Sequence, residues 1–341
     1  MTVLPAGVRG ALERERGEIV TVVSPRAGGA NSEVWEVATA GGARYLVKRY
    51  PPAGPGEADR LATEIAALAF MARHGVAPVP GVVCSLPQVR VGVFSFVAGT
   101  PIAPHEVGKS EVRQAMDFLA RLHGLRGAAG AGELPVAKEA CFSVAAHEAL
   151  VRGRAARLRE GSADEPLREF LERDFAPHLE RVSVWIGTAA DARGIDPRAE
   201  LPADARTLSP SDFGFHNALR RPDGTLVFFD FEYFGWDDPA KTVADFLLQP
   251  AVPVPERLRR PFCRQLRDVY GPAVDLGRRL PLIYALLSLK WCLIVLNLFL
   301  RAPAGAGAAA ALRAERLARA SDQLGRARRE FDAQAFPFSG I

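Results

Sequence analysis

The chain has 341 residues, of which 48% are hydrophobic and 24% are charged, and its net charge is only +4. This composition excludes a disordered chain, and the length favours two compact units. Acidic residues are interleaved with the basic ones, so we expect no nucleic-acid partner. The cysteines lie far apart in the sequence, which argues against a disulfide framework or a zinc site: Cys84, Cys141, Cys263 and Cys292.

The N-terminal region predicts three short β-strands. Val20 to Val23 is a β-branched run, and the segments Val34 to Val37 and Tyr45 to Lys48 follow it. The loop from Ser24 to Ser32 between the first two strands is rich in small residues, so its backbone N–H groups could cover phosphates. The candidates in this loop are Gly28, Gly29 and Asn31. An ordinary hairpin turn explains the same loop equally well.

An amphipathic helix is predicted from Glu57 to His74, because its apolar residues recur at steps of three and four. Glu64 lies in the middle of this helix and is a candidate ion-pair partner for Lys48. The alternative is that both side chains are solvated, as most lysines and glutamates are. Glu57 is a rival partner on the same helix.

The middle of the chain changes from strands to helices. Val91 to Phe96 is an apolar strand that ends at a Gly and Pro break, Gly99 to Pro101. Val112 to Leu122 has helical periodicity, and Arg152 to Arg206 is charged and helical in pattern.

The segment from Ser209 to Asp245 carries the strongest functional signal. Asp212 and Asn217 have the spacing D-x-x-x-x-N, in which an aspartate accepts a hydroxyl proton and an asparagine holds Mg²⁺. The turn Arg220 to Thr225 predicts a hairpin that brings Asn217 to the same end as Asp230. The alternative is that the aspartates only cap a turn and end a strand.

Two segments bear on location. Met1 to Arg16 is charged and lacks the apolar stretch of a secretory signal, so we expect a cytoplasmic protein. Leu280 to Leu300 is long enough to span a bilayer, but Lys290 at its centre favours a buried helix over a membrane span. Lys290 then needs a partner, and Asp237, Asp238 or a place in a substrate cleft are open alternatives.

These motifs resemble the aminoglycoside phosphotransferase and choline kinase-like group of small-molecule kinases. Their signature H-G-D-x-x-x-x-N is matched at Asp212 and Asn217, whereas Pro210 and Ser211 replace its histidine and glycine. Asp230 opens the D-[FW]-E motif of the group, and Thr242 stands where a later aspartate is usual. The resemblance implies an α+β, protein-kinase-like fold with an antiparallel N-lobe over residues 1–97 and a mostly helical C-lobe over residues 98–341.

The resemblance also implies the activity: ATP-dependent phosphorylation of a hydroxyl on a small molecule. It implies that Asp212 is the base and that Asn217 and Asp230 bind Mg²⁺. It also implies that Lys48, held in place by Glu64, binds the ATP phosphates. The adenine would meet the backbone near Phe96 and Ala98. The acceptor is open among a sugar, an amino alcohol, an envelope precursor and an aminoglycoside-like compound. Because the His-Gly pair is missing, a nucleotide-binding pseudokinase that acts as a scaffold is the alternative.

Overall fold

The computed structural model describes residues 4–26, 32–54, 56–300, 307–334 and 336. The chain divides into two compact units, residues 1–138 with 208–236 and residues 139–207 with 237–341. The predicted catalytic hairpin therefore belongs to the same unit as the N-terminal strands. The lobe boundary after residue 97 stays a prediction.

The first unit combines a five-stranded antiparallel sheet, of order β1-β2-β3-β5-β4, with a smaller sheet of order β6-β8-β9. The short strand β7 pairs with β10. The elements along the chain are α1 Val8–Arg16, β1 Val20–Arg26, β2 Glu33–Thr39, β3 Arg44–Arg49, α2 Arg60–Arg73, β4 Val82–Leu86, β5 Val91–Ser95, β6 Thr100–Pro101, α3 Lys109–Gly124, β7 Thr207–Ser209, β8 Ala218–Arg220, β9 Leu226–Phe228 and β10 Gly235–Asp237.

Alternation along the strands sorts the large sheet into two faces. Val37, Val47 and Val93 are fully buried and pack with Val8 and Leu12 of α1 in one apolar cluster. Since successive side chains in a strand point to opposite faces, Lys48 projects away from this cluster. The other face therefore receives the charged residues of the candidate site.

The second unit is mainly helical, and its helices pack around a central apolar one, α9. Its elements are α4 Val144–Gly161, α5 Glu165–Glu169, a π-helical segment Phe170–Phe175, α6 Ala176–Asp191, α7 Pro239–Leu248, α8 Glu256–Tyr270, α9 Leu276–Ile294, a 3₁₀ segment Val295–Leu300 and α10 Gly307–Asp332. The segment Leu276–Leu300 is long and apolar enough to cross a membrane, but 67% of its most apolar stretch is buried inside the protein.

Lys290 of α9 has a partner that the sequence analysis did not propose. Its ammonium donates to both carboxylate oxygens of Asp245 on α7, at 2.6 and 2.9 Å. Asp237 pairs instead with Lys241, at 2.6 Å, and Asp238 pairs with Arg279. All six side chains are buried, so α7 and α9 are joined by charge as well as by apolar contact.

Candidate active site

The centre of the candidate site is the ammonium of Lys48, which is surrounded by three carboxylates. Its Nζ lies 2.9 Å from Glu64, 2.5 Å from Asp230 and 3.0 Å from Glu232. Burial alone would lower the pKa of Lys48, but these three carboxylates outweigh burial and raise it above the usual lysine value. The lysine is therefore held in its charged form by the hairpin and by α2 together.

Glu64 reaches Lys48 because it lies on the buried face of α2. This face carries Leu61, Leu68 and Met71 at helical spacing, and the carboxylate is the polar group among them. Glu64 Oε2 accepts from Lys48 and, at 2.5 Å, from the hydroxyl of Tyr50, while Oε1 accepts from the backbone N–H of Phe231 at 3.2 Å. One buried carboxylate thus connects β3 to the start of the Asp230 motif.

Asp230 follows directly after the β8–β9 hairpin. Ala218 pairs with Phe228, and the N–H of Phe229 donates to the carbonyl of Asn217 at 3.0 Å, so the hairpin ends with Asn217 beside the residue before Asp230. Asp230 adopts the left-handed conformation with φ 68°, which aspartate tolerates better than most residues. This register agrees with the sequence prediction that the two residues share one end of the hairpin.

Asp230, Glu64 and Glu232 form a carboxylate cluster whose oxygens lie within 4.8 Å of one another. Burial raises the pKa of Asp230, Lys48 lowers it and the two neighbouring glutamates raise it, and the net result is a pKa of about 6. Glu232 also lies 3.4 Å from the guanidinium of Arg60 at the start of α2. Among the described residues, two cations, Lys48 and Arg60, contact these three carboxylates.

The loop that carries Asp212 is anchored by aromatic packing. Phe213 comes directly after Asp212, and Phe231 comes directly after Asp230. Both rings pack on Phe118 of α3, with ring centroids 5.6 and 6.0 Å away, and Phe228 completes the cluster. Because the phenylalanines point into this core, the two aspartates before them are held at its edge. Asp212 keeps 40% of its side-chain surface exposed.

Ser211, one of the two residues that depart from the family signature, keeps the loop in a defined shape. Ser211 has φ 66°, a conformation that glycine adopts without strain, and it stands where the signature has glycine. Its N–H donates to the Ser209 hydroxyl at 3.1 Å, and its own hydroxyl donates to the Lys138 carbonyl at 3.1 Å. These bonds stabilise a backbone conformation that is unfavourable for serine.

Asn217 braces the same loop from the other side. Its side-chain amide donates to the backbone carbonyl of Asp212 at 2.9 Å, and its side chain is mostly buried. The contact links the two ends of the D-x-x-x-x-N motif directly.

The remaining predicted site residues are placed as follows. Phe96 lies between β5 and β6, and its N–H donates to the Arg44 carbonyl at 3.2 Å; the adenine contact near it stays a prediction. Ala98 is exposed two residues later. The loop candidates lie outside the described residues: Gly28, Gly29 and Asn31. Glu57, the rival of Glu64, lies 3.9 Å from Lys138 instead.

Three side chains near the predicted site residues have no predicted role. Tyr50 contacts Glu64, Glu232 contacts Lys48, and His216 lies 3.3 Å from Asp212. Strand alternation was a signal for Tyr50, because residues 48 and 50 share a face. The other two contacts depend on how the hairpin and its preceding loop fold.

Comparison with known proteins identifies the family. Residues 22–273 match the phosphotransferase enzyme family. The chain belongs to this family. No curated protein matches the sequence significantly.

Solved structures show the same protein-kinase-like fold, with an antiparallel N-terminal sheet and a helical C-terminal part. A spectinomycin phosphotransferase in complex with ADP and spectinomycin has a TM-score of 0.63 at 12% identity, covering 96% of this chain and 98% of that one. Choline kinase from Cryptosporidium parvum Iowa II has a TM-score of 0.60 at 13% identity, covering 93% and 92%. The streptomycin–ATP–APH(2")-IIa ternary complex has a TM-score of 0.54 at 15% identity, covering 96% and 97%.

Proposed function

We propose that this protein transfers the terminal phosphoryl group of ATP to a hydroxyl of a small molecule. The observation that carries the proposal is the placement of Lys48 against Asp230, at 2.5 Å, at the end of the hairpin that follows Asp212 and Asn217. A phosphate-binding cation, a carboxylate for a metal and an exposed carboxylate for the acceptor are the parts that phosphoryl transfer needs. Membership of a phosphotransferase family supports the same reaction class.

In the proposed step, the acceptor oxygen bonds to the γ-phosphorus as the bond from that phosphorus to the β-γ bridging oxygen breaks. ADP leaves with the bond electrons, and the hydroxyl proton passes to a carboxylate oxygen of Asp212. The partial exposure of this side chain makes it accessible to an acceptor. Lys48 would exchange part of its carboxylate contact for the phosphates, and Glu64 would keep its ammonium in place.

The described residues fit a Mg²⁺ ion, because the cluster offers carboxylate oxygens and the neighbouring Asn217 offers an amide oxygen, which are hard ligands. Asp230 and Asn217 would hold the ion, and Glu232 is a further carboxylate within reach of the same place. Bound Mg²⁺ would neutralise charge on the phosphate oxygens. Arg60 beside Glu232 would limit how many carboxylates turn to the ion.

The acceptor class stays open among sugars, amino alcohols, envelope precursors and aminoglycoside-like compounds. The use of ATP is consistent with a cytoplasmic location, which we propose on that ground. The pseudokinase alternative rested on the missing His-Gly pair. It loses force because Ser211 holds the left-handed conformation that glycine would supply there.

An acceptor screen tests the proposal. ADP release would be measured against sugars, amino alcohols and aminoglycosides, together with calorimetric Mg-ATP affinity. Asp212→Asn should lower turnover by about 10²-fold or more, the scale of general-base loss, and leave Mg-ATP affinity nearly unchanged. Asp230→Ala should abolish the Mg²⁺ dependence of ATP binding. Asp117→Asn, an exposed aspartate on α3, is the matched control.

Wild-type turnover in Asp212→Asn would reject the mechanism. Tight Mg-ATP binding by the wild type without phosphorylation of any acceptor would favour the scaffold alternative. Unchanged Mg-ATP affinity in Asp230→Ala would reject the metal assignment.

A further inference from the structure

The imidazole of His216 faces the carboxylate of Asp212. Its Nε2 lies 3.3 Å from Asp212 Oδ1, and the two side chains are 20% and 40% exposed. The 3₁₀ turn Phe215–Asn217 creates this approach, because the N–H of Asn217 donates to the Gly214 carbonyl at 3.1 Å and folds the chain back by one turn. Residues four apart thereby come into side-chain contact.

The second ring nitrogen of His216 indicates which atom carries the proton. Nδ1 is buried and has no hydrogen-bond partner among the residues that the structure describes. A proton on Nδ1 would be a buried donor without an acceptor, which is unfavourable. A proton on Nε2 faces a carboxylate instead. The arrangement therefore favours the tautomer that presents its Nε2–H to Asp212.

We propose that His216 is a positioning residue that holds the Asp212 carboxylate in the orientation that phosphoryl transfer needs. The inference rests on the proposed function and adds a residue to it. The bracing is divided between two neighbours, since Asn217 holds the backbone carbonyl of Asp212 at 2.9 Å and His216 contacts its side chain. Pro210 has no N–H to contribute to this loop, and the Ser211 hydroxyl is directed to the Lys138 carbonyl.

A displaced base affects turnover more than nucleotide binding. A misplacement of about 1 Å can cost about 10²-fold in rate. We therefore expect His216→Ala to lower kcat by about 10- to 100-fold, with little change in KM for ATP. Gln places an amide N–H close to the position of Nε2, so His216→Gln should recover much of the loss. His216→Phe keeps a flat ring and removes the donor, so it should resemble His216→Ala.

The experiment measures ATP turnover with the best acceptor, or with water when no acceptor is found, in these three variants. His105→Ala is the control, because His105 is an exposed histidine on another 3₁₀ turn of the same unit. Each substitution at His216 is repeated in the Asp212→Asn background. If His216 acts through the carboxylate, the loss that it causes should disappear there, whereas a general structural defect would persist.

A spectroscopic readout makes the test independent of the rate. Long-range ¹H–¹⁵N correlation spectra report the tautomer of a histidine ring. We expect the Nε2–H form for His216 and a shifted Nε2 resonance in Asp212→Asn. An Nδ1–H form, or an Nε2 resonance that is unmoved by Asp212→Asn, would overturn the inference even if turnover were too slow to compare.

The outcomes separate this inference from the proposed function. Loss of turnover in Asp212→Asn with wild-type turnover in His216→Ala would overturn the positioning role alone. A lowered melting temperature in His216→Ala with no recovery in His216→Gln would also overturn it, by showing a structural role. A wild type that neither binds Mg-ATP nor turns it over would remove both.

Discussion

Replacing Glu64 with glutamine is expected to destabilise the protein although the two side chains have the same shape. All three groups that contact this carboxylate are donors: the Lys48 ammonium, the Tyr50 hydroxyl and the Phe231 N–H. Burial and the neighbouring Glu64 carboxylate raise the pKa of Tyr50, so its hydroxyl keeps the proton that it donates. Glutamine has one acceptor oxygen and an NH₂ that is a donor, so it must turn a donor toward a donor.

The size of the stability loss in Glu64→Gln depends on which donor loses its acceptor. If the glutamine oxygen stays with Lys48 and Tyr50, the N–H of Phe231 is left unsatisfied; if it turns to Phe231, Tyr50 loses its partner. A buried donor without an acceptor costs about 1–3 kcal/mol. Lys48 keeps Asp230 and Glu232 in either case. We therefore expect Glu64→Gln to lower the free energy of unfolding by about 2 kcal/mol.

Urea unfolding followed by circular dichroism would measure this change, provided that the slope of the transition is the same in both proteins. Tyr50→Phe removes one donor and leaves the carboxylate, so its cost should be about 0.5–1.5 kcal/mol. The double variant should lose less than the sum of the two, because glutamine then confronts fewer donors. Glu57→Gln, on the exposed side chain 3.9 Å from Lys138, should change stability by less than about 0.5 kcal/mol. A Glu64→Gln protein as stable as Glu57→Gln would refute the three-donor account.

Three further changes have defined outcomes. Lys290→Met removes two of the hydrogen bonds to the buried Asp245 carboxylate, which keeps the one from the Trp291 indole, and should cost about 3–5 kcal/mol in thermal or urea unfolding. Ser211→Val places a β-branched residue at φ 66° and should cost about 1–3 kcal/mol, whereas Ser211→Gly should be close to neutral. Burial lowers the pKa of His178 to about 4, so its contribution to stability should be lost as the pH falls from about 6.5 toward 4, and His178→Phe should reduce that loss in unfolding measured against pH.

Each of these outcomes can fail in a specific way. A small effect of Lys290→Met would mean that Lys241, 3.4 Å from Asp245, supplies enough compensating charge. Equal stabilities of Ser211→Val and Ser211→Gly would show that the loop does not require the left-handed conformation. If His178→Phe loses as much stability below about pH 6.5 as the wild type does, the acid sensitivity belongs to other groups.

The sequence predicted the elements with strong local patterns. The strands β1 to β3 were found because β-branched runs alternate with glycine turns, and the β8–β9 hairpin was found because Arg220 to Thr225 is a turn between two apolar runs. Helix α1 was missed, because only Val8 and Leu12 of its nine residues are buried and the rest of VRGALERER is largely charged. Strand β4 was also missed, because it is half-buried and its burial does not alternate along the strand.

Several contacts of charged side chains, in the site and outside it, could not be predicted, because they join residues that are distant in sequence or depend on loop geometry. The sequence left Asp237, Asp238 and a place in a substrate cleft open as alternatives for Lys290, but the packing of α9 on α7 brings it to Asp245. Glu232 meets Lys48 across 184 positions of the chain. His216 reaches Asp212 because a 3₁₀ turn precedes β8.

One departure from the family signature, Ser211, stands at a position whose effect is on the backbone. Glycine is useful at position 211 because it allows positive φ, and Ser211 reaches the same conformation with two hydrogen bonds that offset the strain. The side chains that would touch reactants, Asp212 and Asp230, are unchanged, and the phenylalanine after each fixes it to the Phe118 core. A loop without this glycine can therefore adopt the left-handed conformation at position 211, provided that other residues hold its turns. This is why the missing His-Gly pair is weaker grounds for a pseudokinase than the loss of either aspartate would be.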